Sequence, residues 1–491
     1  MRRILVISVL CVLMAVSCVP GKVSSGEGRQ PRIFPDYAGV TIPPNIAPMN
    51  FNVLEEGRFV LEISDGQDSF FVRSGRNGSF DIPFRKWRRI VRGAVGKRLE
   101  FTVMKKENGA LSAYEPFSMT VASDSADSHI AYRLIPPGYV AWREMGIYQR
   151  CIENFRQWEI VANRRTSGEN CVNCHSFCMQ NPEKMIFHSR AEHAGTIVLN
   201  DGIPEKLNTK TPRTISPLVY PFWHPSGKYI AFSNNDTHQA FFLNHPNRVE
   251  VFDNSSDVVV YDVGRHTISS CPLLKSENSF ETFPAFSPDG ERLYFCSAVA
   301  VDSVRENYSK VRYSLCSIGF HPEDGTFGDS VDTLVNARTV GKSVSFPRVS
   351  PDGRFLVFTL HDFGNFSIWH HEADLWCIDL KTSGMWPLDA ANSDDTESYH
   401  SWSHNGRWMV FGSRRGDGLY TRAWFTHIDA EGQASKPFLL PQKNPLKFYE
   451  DSEYSYNIPE FITGKVEVSG VRMASYVKEM TATDVLYKES E

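Results

Sequence analysis

Between residues 40 and 135, short apolar runs alternate with polar positions at the two-residue period of strands. The runs 59–63, 70–72, 99–103 and 130–134 are separated by the turn signals Asp65-Gly66, Asn77-Gly78 and Asn108-Gly109. This spacing predicts a β-sandwich of immunoglobulin or fibronectin type over 36–137, with 84–91 as a helical or edge insertion. The period then changes. Met145, Tyr148, Ile152, Phe155 and Glu159 recur at three- and four-residue steps, which predicts a helix over about 142–164. The segment 138–182 is therefore read as helical and as leading into a cluster of cysteines.

From about residue 183 the pattern repeats. The segments 220–233, 283–296, 346–359 and 399–412 align without gaps as a strand, a Pro-Asp-Gly type turn and a second strand. Their turn glycines, Gly227, Gly290, Gly353 and Gly406, are 63, 63 and 53 residues apart. A third strand recurs at 257–262 and 374–379. Several strands per unit at this period predict propeller blades. Residues 185–190 and 196–200 supply most of a further blade, and 456–462 is placed to close the ring. Five or six blades are expected, six being preferred, over 183–470, with 471–491 as a tail.

The repeat resembles the TolB-like, or WD40-like, Pro-Asp β-propellers of Gram-negative periplasmic proteins, over about 183–465. It implies the fold and an envelope location, and no activity. His404-Asn405 and Ser226 depart from the Pro-Asp pattern.

The N-terminus fits that location. Arg2 and Arg3 precede an apolar run that ends at Ala15-Val16-Ser17-Cys18, the layout of a secretion signal over 1–17. Cys18 after small residues resembles a lipoprotein box, so it is the expected lipidation site and membrane anchor. Residues 18–35 read as a tether. Composition is that of a globular protein, with 41% hydrophobic and 22% charged residues. The net charge of −5, near −7 after cleavage, argues against a nucleic-acid partner.

Cys171-Val172-Asn173-Cys174-His175 is the motif that carries chemistry. Cys171 and Cys174 are spaced for two thioethers to one haem, and His175 is placed as the proximal iron ligand. This c-type haem is the leading cofactor expectation. Met179, Met185, His188 and His193 are the candidates for a second axial ligand, and Trp142, Tyr148, Phe155 and Trp158 for an apolar wall. Two readings compete. One is zinc held by Cys171, Cys174 and Cys178 with His175, His188 or His193, and the other is a Cys171–Cys174 disulfide. Cys296, Cys316 and Cys377 sit in strand-like runs and read as core residues.

Elsewhere, polar loops at 234–238, 361–365 and 414–418 are expected to gather at one end of the propeller as a binding surface. Glu250, Asp253 and Asp257 read as solvated carboxylates, Ca²⁺ being the competing reading, and His370-His371 as a surface pair. No hydrolase, kinase or dehydrogenase motif is present. The expected function is an envelope-anchored monohaem protein, for electron transfer or redox sensing, whose propeller docks a protein or redox partner. A non-enzymatic scaffold and a carbohydrate-active propeller are the alternatives.

Overall fold

The computed structural model describes residues 23–24, 26–107, 110–136, 144–167 and 170–488. The expected leader, Cys18, Trp142 and the Asn108-Gly109 turn lie outside them. The chain is mainly β, and its larger part is a six-bladed β-propeller. The innermost strands are Ser455–Ile462, Cys171–Phe177, Val219–Trp223, Ser279–Phe286, Ser343–Val349 and Glu397–Trp402, numbered here as blades 1 to 6. Each touches the next, and blade 6 returns to blade 1. Blades are antiparallel sheets. Residues 456–462 do close the ring.

Blade 1 corrects the expected layout. Its inner strand comes from the C-terminal end, and its other three are His129–Ile135, Gly146–Cys151 and Gln157–Ala162. The run 130–134, assigned from sequence to the sandwich, is thus a propeller strand. The expected helix over 142–164 is largely a hairpin, with one short helical turn at Asn163–Thr166. Its turn is set by Asn154, whose Oδ1 accepts from the Arg156 amide at 2.8 Å. Burial of Ile147, Ile160 and Val161 between blades 1 and 2 decides the outcome over helical periodicity.

The Pro-Asp-Gly turns owe their form to one local bond. In blade 4, Ser287 Oγ and Asp289 Oδ1 are 2.5 Å apart, and the Glu291 amide donates to that same oxygen. Gly290 follows at φ 80°. Blade 6 keeps the device with a different residue. Asn405 takes the aspartate's place, accepting from Ser403 Oγ at 2.6 Å. That departure from the repeat is therefore conservative.

Before the propeller, a seven-stranded sheet shares its core with a two-stranded ribbon and the helix Phe84–Gly93. The same core takes in Trp408, Phe425 and Phe438 of blade 6 and Tyr456 and Phe461 of blade 1. Trp408 Nε1 donates to the Asp124 carbonyl and Tyr37 Oη to that of Leu439. After the ring closes, the helix Gly470–Glu479 packs on the outer strands of blades 1 and 2. Thr483–Asp484 then adds in parallel to the edge of blade 2 and Leu486–Tyr487 to that of blade 3, with Val485 buried between them. The expected tail is a strap.

Candidate functional site: the axial channel

Every inner strand carries one non-glycine residue in the left-handed region at the same rung. These are Cys174, Tyr220, Phe283, Phe346, Tyr399 and Ile458, all with φ between 49° and 53°. The strand register slips at that rung in each blade. Such a bulge re-aims a side chain, and all six line the axial channel. Four of the rings form a plug: Tyr220 to Phe283 at 4.7 Å between centroids, Phe283 to Phe346 at 4.0 Å and Phe346 to Tyr399 at 4.7 Å. The next residue is proline in four blades (Pro221, Pro284, Pro347, Pro459) and histidine in two (His175, His400).

Cys174-His175 is therefore blade 2's copy of an aromatic–proline rung. His400 Nε2 donates to the Val357 carbonyl of blade 5 at 2.9 Å. His175 lies in the corresponding seam, between blades 1 and 2. Its ring faces the backbone of Ala131 and Ile458 in blade 1, without a hydrogen bond of good geometry to either. Burial, with Arg133 adding to it, pushes its imidazole down to about 3, so it is neutral. Cys171, Cys174 and Cys178 are free thiols. Cys171 Sγ is buried 3.7 Å from Met145 Sδ, whereas Cys174 faces the channel.

This donor set is chemically complete for a c-type haem, but the closed ring does not fit one. The channel cavity next to Cys174 and His175 is about 100 Å³, whereas even drug-sized ligands need roughly 300–1,000 Å³. The expected wall is dispersed: Phe155 packs on Phe84 and Trp158 on His129. The second-ligand candidates are dispersed too. Met185 lies in the apolar core between blades 1 and 2, and Met179 is exposed beside the channel. His188 Nδ1 pairs with Thr196 Oγ1 at 2.8 Å, and its ring meets Phe232 of blade 3. His193 lies in a 3-10 turn after the blade's second strand. Among the described residues, no three His, Cys, Asp or Glu side chains gather as a metal ion requires.

Two mouths open from the plug. On the side of the Pro-Asp-Gly turns is a vestibule lined by Phe177, Trp223, Trp402 and several prolines. The residues two places after the plug form its inner rim, among them Ser176, Phe222, Arg348, Ser401 and Glu460. Arg348 spreads over the Phe222 ring at 4.9 Å and gives Nη1 to the Pro347 carbonyl at 2.8 Å. Burial lowers it to about 10, which leaves it charged at neutral pH. Burial also raises Glu460 to about 8, and its Oε1 accepts from the Phe177 amide at 3.0 Å. Sequence reading missed this rim. The available signal was a charged residue at 348 in a repeat that has Phe222, Ala285 and Ser401 in register.

The opposite mouth is covered. The hairpin Tyr229–Phe241 and Val249–Asp262 outgrows blade 3 and reaches blade 5. Asp253 accepts from Asn235, Thr237 and, in blade 5, Asn365 Nδ2 at 2.7 Å. Glu250 Oε2 and Glu372 Oε1 each sit 3.0 Å from His370. The polar segments 234–238, a strand where a loop was expected, and 361–365 thus meet at one end. Two expectations are corrected here. Glu250, Asp253 and Asp257 are buried, and so is His370; only His371 of that pair is partly exposed. The lid removes Glu250, Asp253 and His370 from water by contacts between distant blades, whereas Asp257 pairs with Lys275.

No protein-family model and no curated protein matches the chain. Among solved structures, an oligogalacturonate lyase in complex with manganese aligns at TM-score 0.37 and 11% identity, over 61% of this chain and 71% of that one. A GH74 enzyme of Niastella koreensis gives 0.37 and 9%, over 64% and 46%. The Cps50 (Swd1) β-propeller domain of Myceliophteria thermophila gives 0.32 and 9%, over 54% and 71%. These similarities carry no argument about activity.

Proposed function

We propose that the protein is an exported, lipid-anchored, TolB-like propeller of a Gram-negative envelope, and that it works by binding a partner. The supporting observation is the place of Cys174-His175. It fills the rung that Tyr399-His400 fills in blade 6, so residues 171–177 have a complete role as an inner strand. In this reading the motif closes a blade and the channel mouths do the binding. Cys18 supplies the anchor.

A c-type haem is the second reading, favoured by the weakly bonded ring of His175 beside two free thiols. Cys171 and Cys174 would hold it covalently and His175 would ligate the iron, which would supply one-electron chemistry. The strand would then have to leave the ring, because the cavity is too small.

One preparation separates the two. Protein made in cells with c-type assembly machinery is expected to be colourless, with the mass of the processed, acylated chain and unmodified Cys171 and Cys174. A Soret band and haem that survives denaturing electrophoresis would overturn the first reading and establish the second. Cys18→Ser is expected to abolish partition into detergent; an unacylated parent would remove the anchor from the proposal.

A further inference from the structure

We infer that the vestibule is a binding site for a carboxylate carried on a small apolar body. This rests on the binding-propeller reading, since it needs 171–177 in the ring.

The rim places one guanidinium and two hydroxyl side chains around an opening walled by aromatic and proline surface. Among the described residues no carboxylate lies within ion-pair distance of Arg348, and Glu460 acts on it only through space: one nitrogen goes to its neighbour's carbonyl, and its face lies on Phe222. The other acid-bearing position on the rim, Glu460, is spent on the Phe177 amide and is mostly protonated at neutral pH. Ser176 and Ser401 flank Glu460 in blades 2 and 6, and both line the cavity. A guanidinium in an apolar recess prefers a planar anion able to accept two parallel hydrogen bonds. Trp223 and Trp402, with Pro225, Pro288 and Pro351, offer the ligand's body a surface without competing charge. A cavity of about 100 Å³ admits one ring or a short branched chain behind the carboxylate. The same group is presented by a free carboxylic acid and by the last residue of a polypeptide that ends in an aromatic or aliphatic side chain.

Titration of the full chain with 3-phenylpropanoate, followed by tryptophan fluorescence and calorimetry, tests this. Its amide and the peptide Gly-Ser-Gly-Phe, with a free or an amidated end, complete the set. The acid or the free-ended peptide is expected to bind at least tenfold more tightly than its amide. Binding of the acid alone identifies a free acid as the source, and binding of the peptide extends it to chain termini. Arg348→Met is expected to weaken binding at least tenfold, and Arg348→Lys less. Because the acid–amide pair uses the unaltered chain, the test survives a variant that fails to fold. Equal affinity for acid and amide, or no binding of either acid, would overturn the inference. A colourless protein that ignores carboxylates removes this site alone, whereas a haem spectrum removes the reading beneath it.

Discussion

His175 and His400 occupy the same rung of two blades, but His400 bonds the Val357 carbonyl at 2.9 Å, whereas His175 makes only a poorer contact with the backbone of Ala131 and Ile458 in blade 1. A buried donor whose hydrogen bond is poorly formed forfeits part of the roughly 0.5–1.5 kcal/mol that a good one contributes. The rung tolerates proline in the four other blades, so no backbone donor is needed there.

His175→Pro is therefore expected to fold, with a melting temperature equal to or above that of the parent. His400→Pro forfeits a bond and is expected to lower it by about 1 kcal/mol equivalent. Thermal unfolding followed by circular dichroism checks the pair. A collapse of His175→Pro with a benign His400→Pro would reverse the assignment.

The lid's ionic cluster should give stability a defined slope with pH. Burial works against the charge on His370, but its bonds to Glu250 and Glu372 win and hold it up at about 9, from 6.5. A raised folded value means that its contribution is complete below about 6.5 and is lost as pH rises through 9. Burial raises Asp253 to about 7, against the bonds from Thr237, Asn235 and Asn365, so its ionisation above pH 4 also disfavours the folded state. Stability against urea is thus expected to fall by roughly 1–3 kcal/mol between pH 6 and 9.5. Glu372 is held at about 2, so its contribution stays in place throughout that window. His370→Gln should flatten the slope while lowering stability at pH 6.

The C-terminal strap covers two blade edges with one chain. Removing 480–491 is expected to accelerate hydrogen exchange in Ile203–Asn208 and Thr267–Ser269, the strands it pairs with. Met385–Pro387 at the edge of blade 5 should be unchanged. Val485→Asp, which buries a charge, should mimic the truncation.

Ending the chain at residue 451 removes the inner strand of blade 1 and exposes two neighbouring blades. Aggregated material is expected in sedimentation. The N-terminal unit is expected to share that fate when cut out as 26–128. Its core includes Trp408, Phe425 and Phe461, which the fragment lacks.

The blades with a Pro-Asp-Gly turn were legible because a turn of fixed chemistry marks each one. Blade 2 was only partly so. Its turn runs through Asn181-Pro182-Glu183, so Cys174-His175 could not be aligned with Tyr220-Pro221 by counting from a glycine. Blade 1 was hidden for another reason. The hairpin 146–162 carries apolar residues at helical steps, and the strand it pairs with, His129–Ile135, is itself held in the blade by Ser455–Ile462, about 300 positions away. His370 and Glu250 misled because each looks solvated in its own segment. They are buried by a hairpin from another blade, and no local pattern records such a meeting.

The origin of blade 1 from both ends of the chain sets a schedule for synthesis. Gln157–Ala162 is complete roughly 290 residues before the translating ribosome reaches Ser455–Ile462. At about 5–20 residues per second, that is an interval on the order of 15–60 s. Throughout it the strand His129–Ile135 waits with one edge unpaired, while blades 2 to 6 are made. The first propeller strands to emerge are thus the last to be finished, and whatever holds the nascent chain must shield that edge until the end arrives.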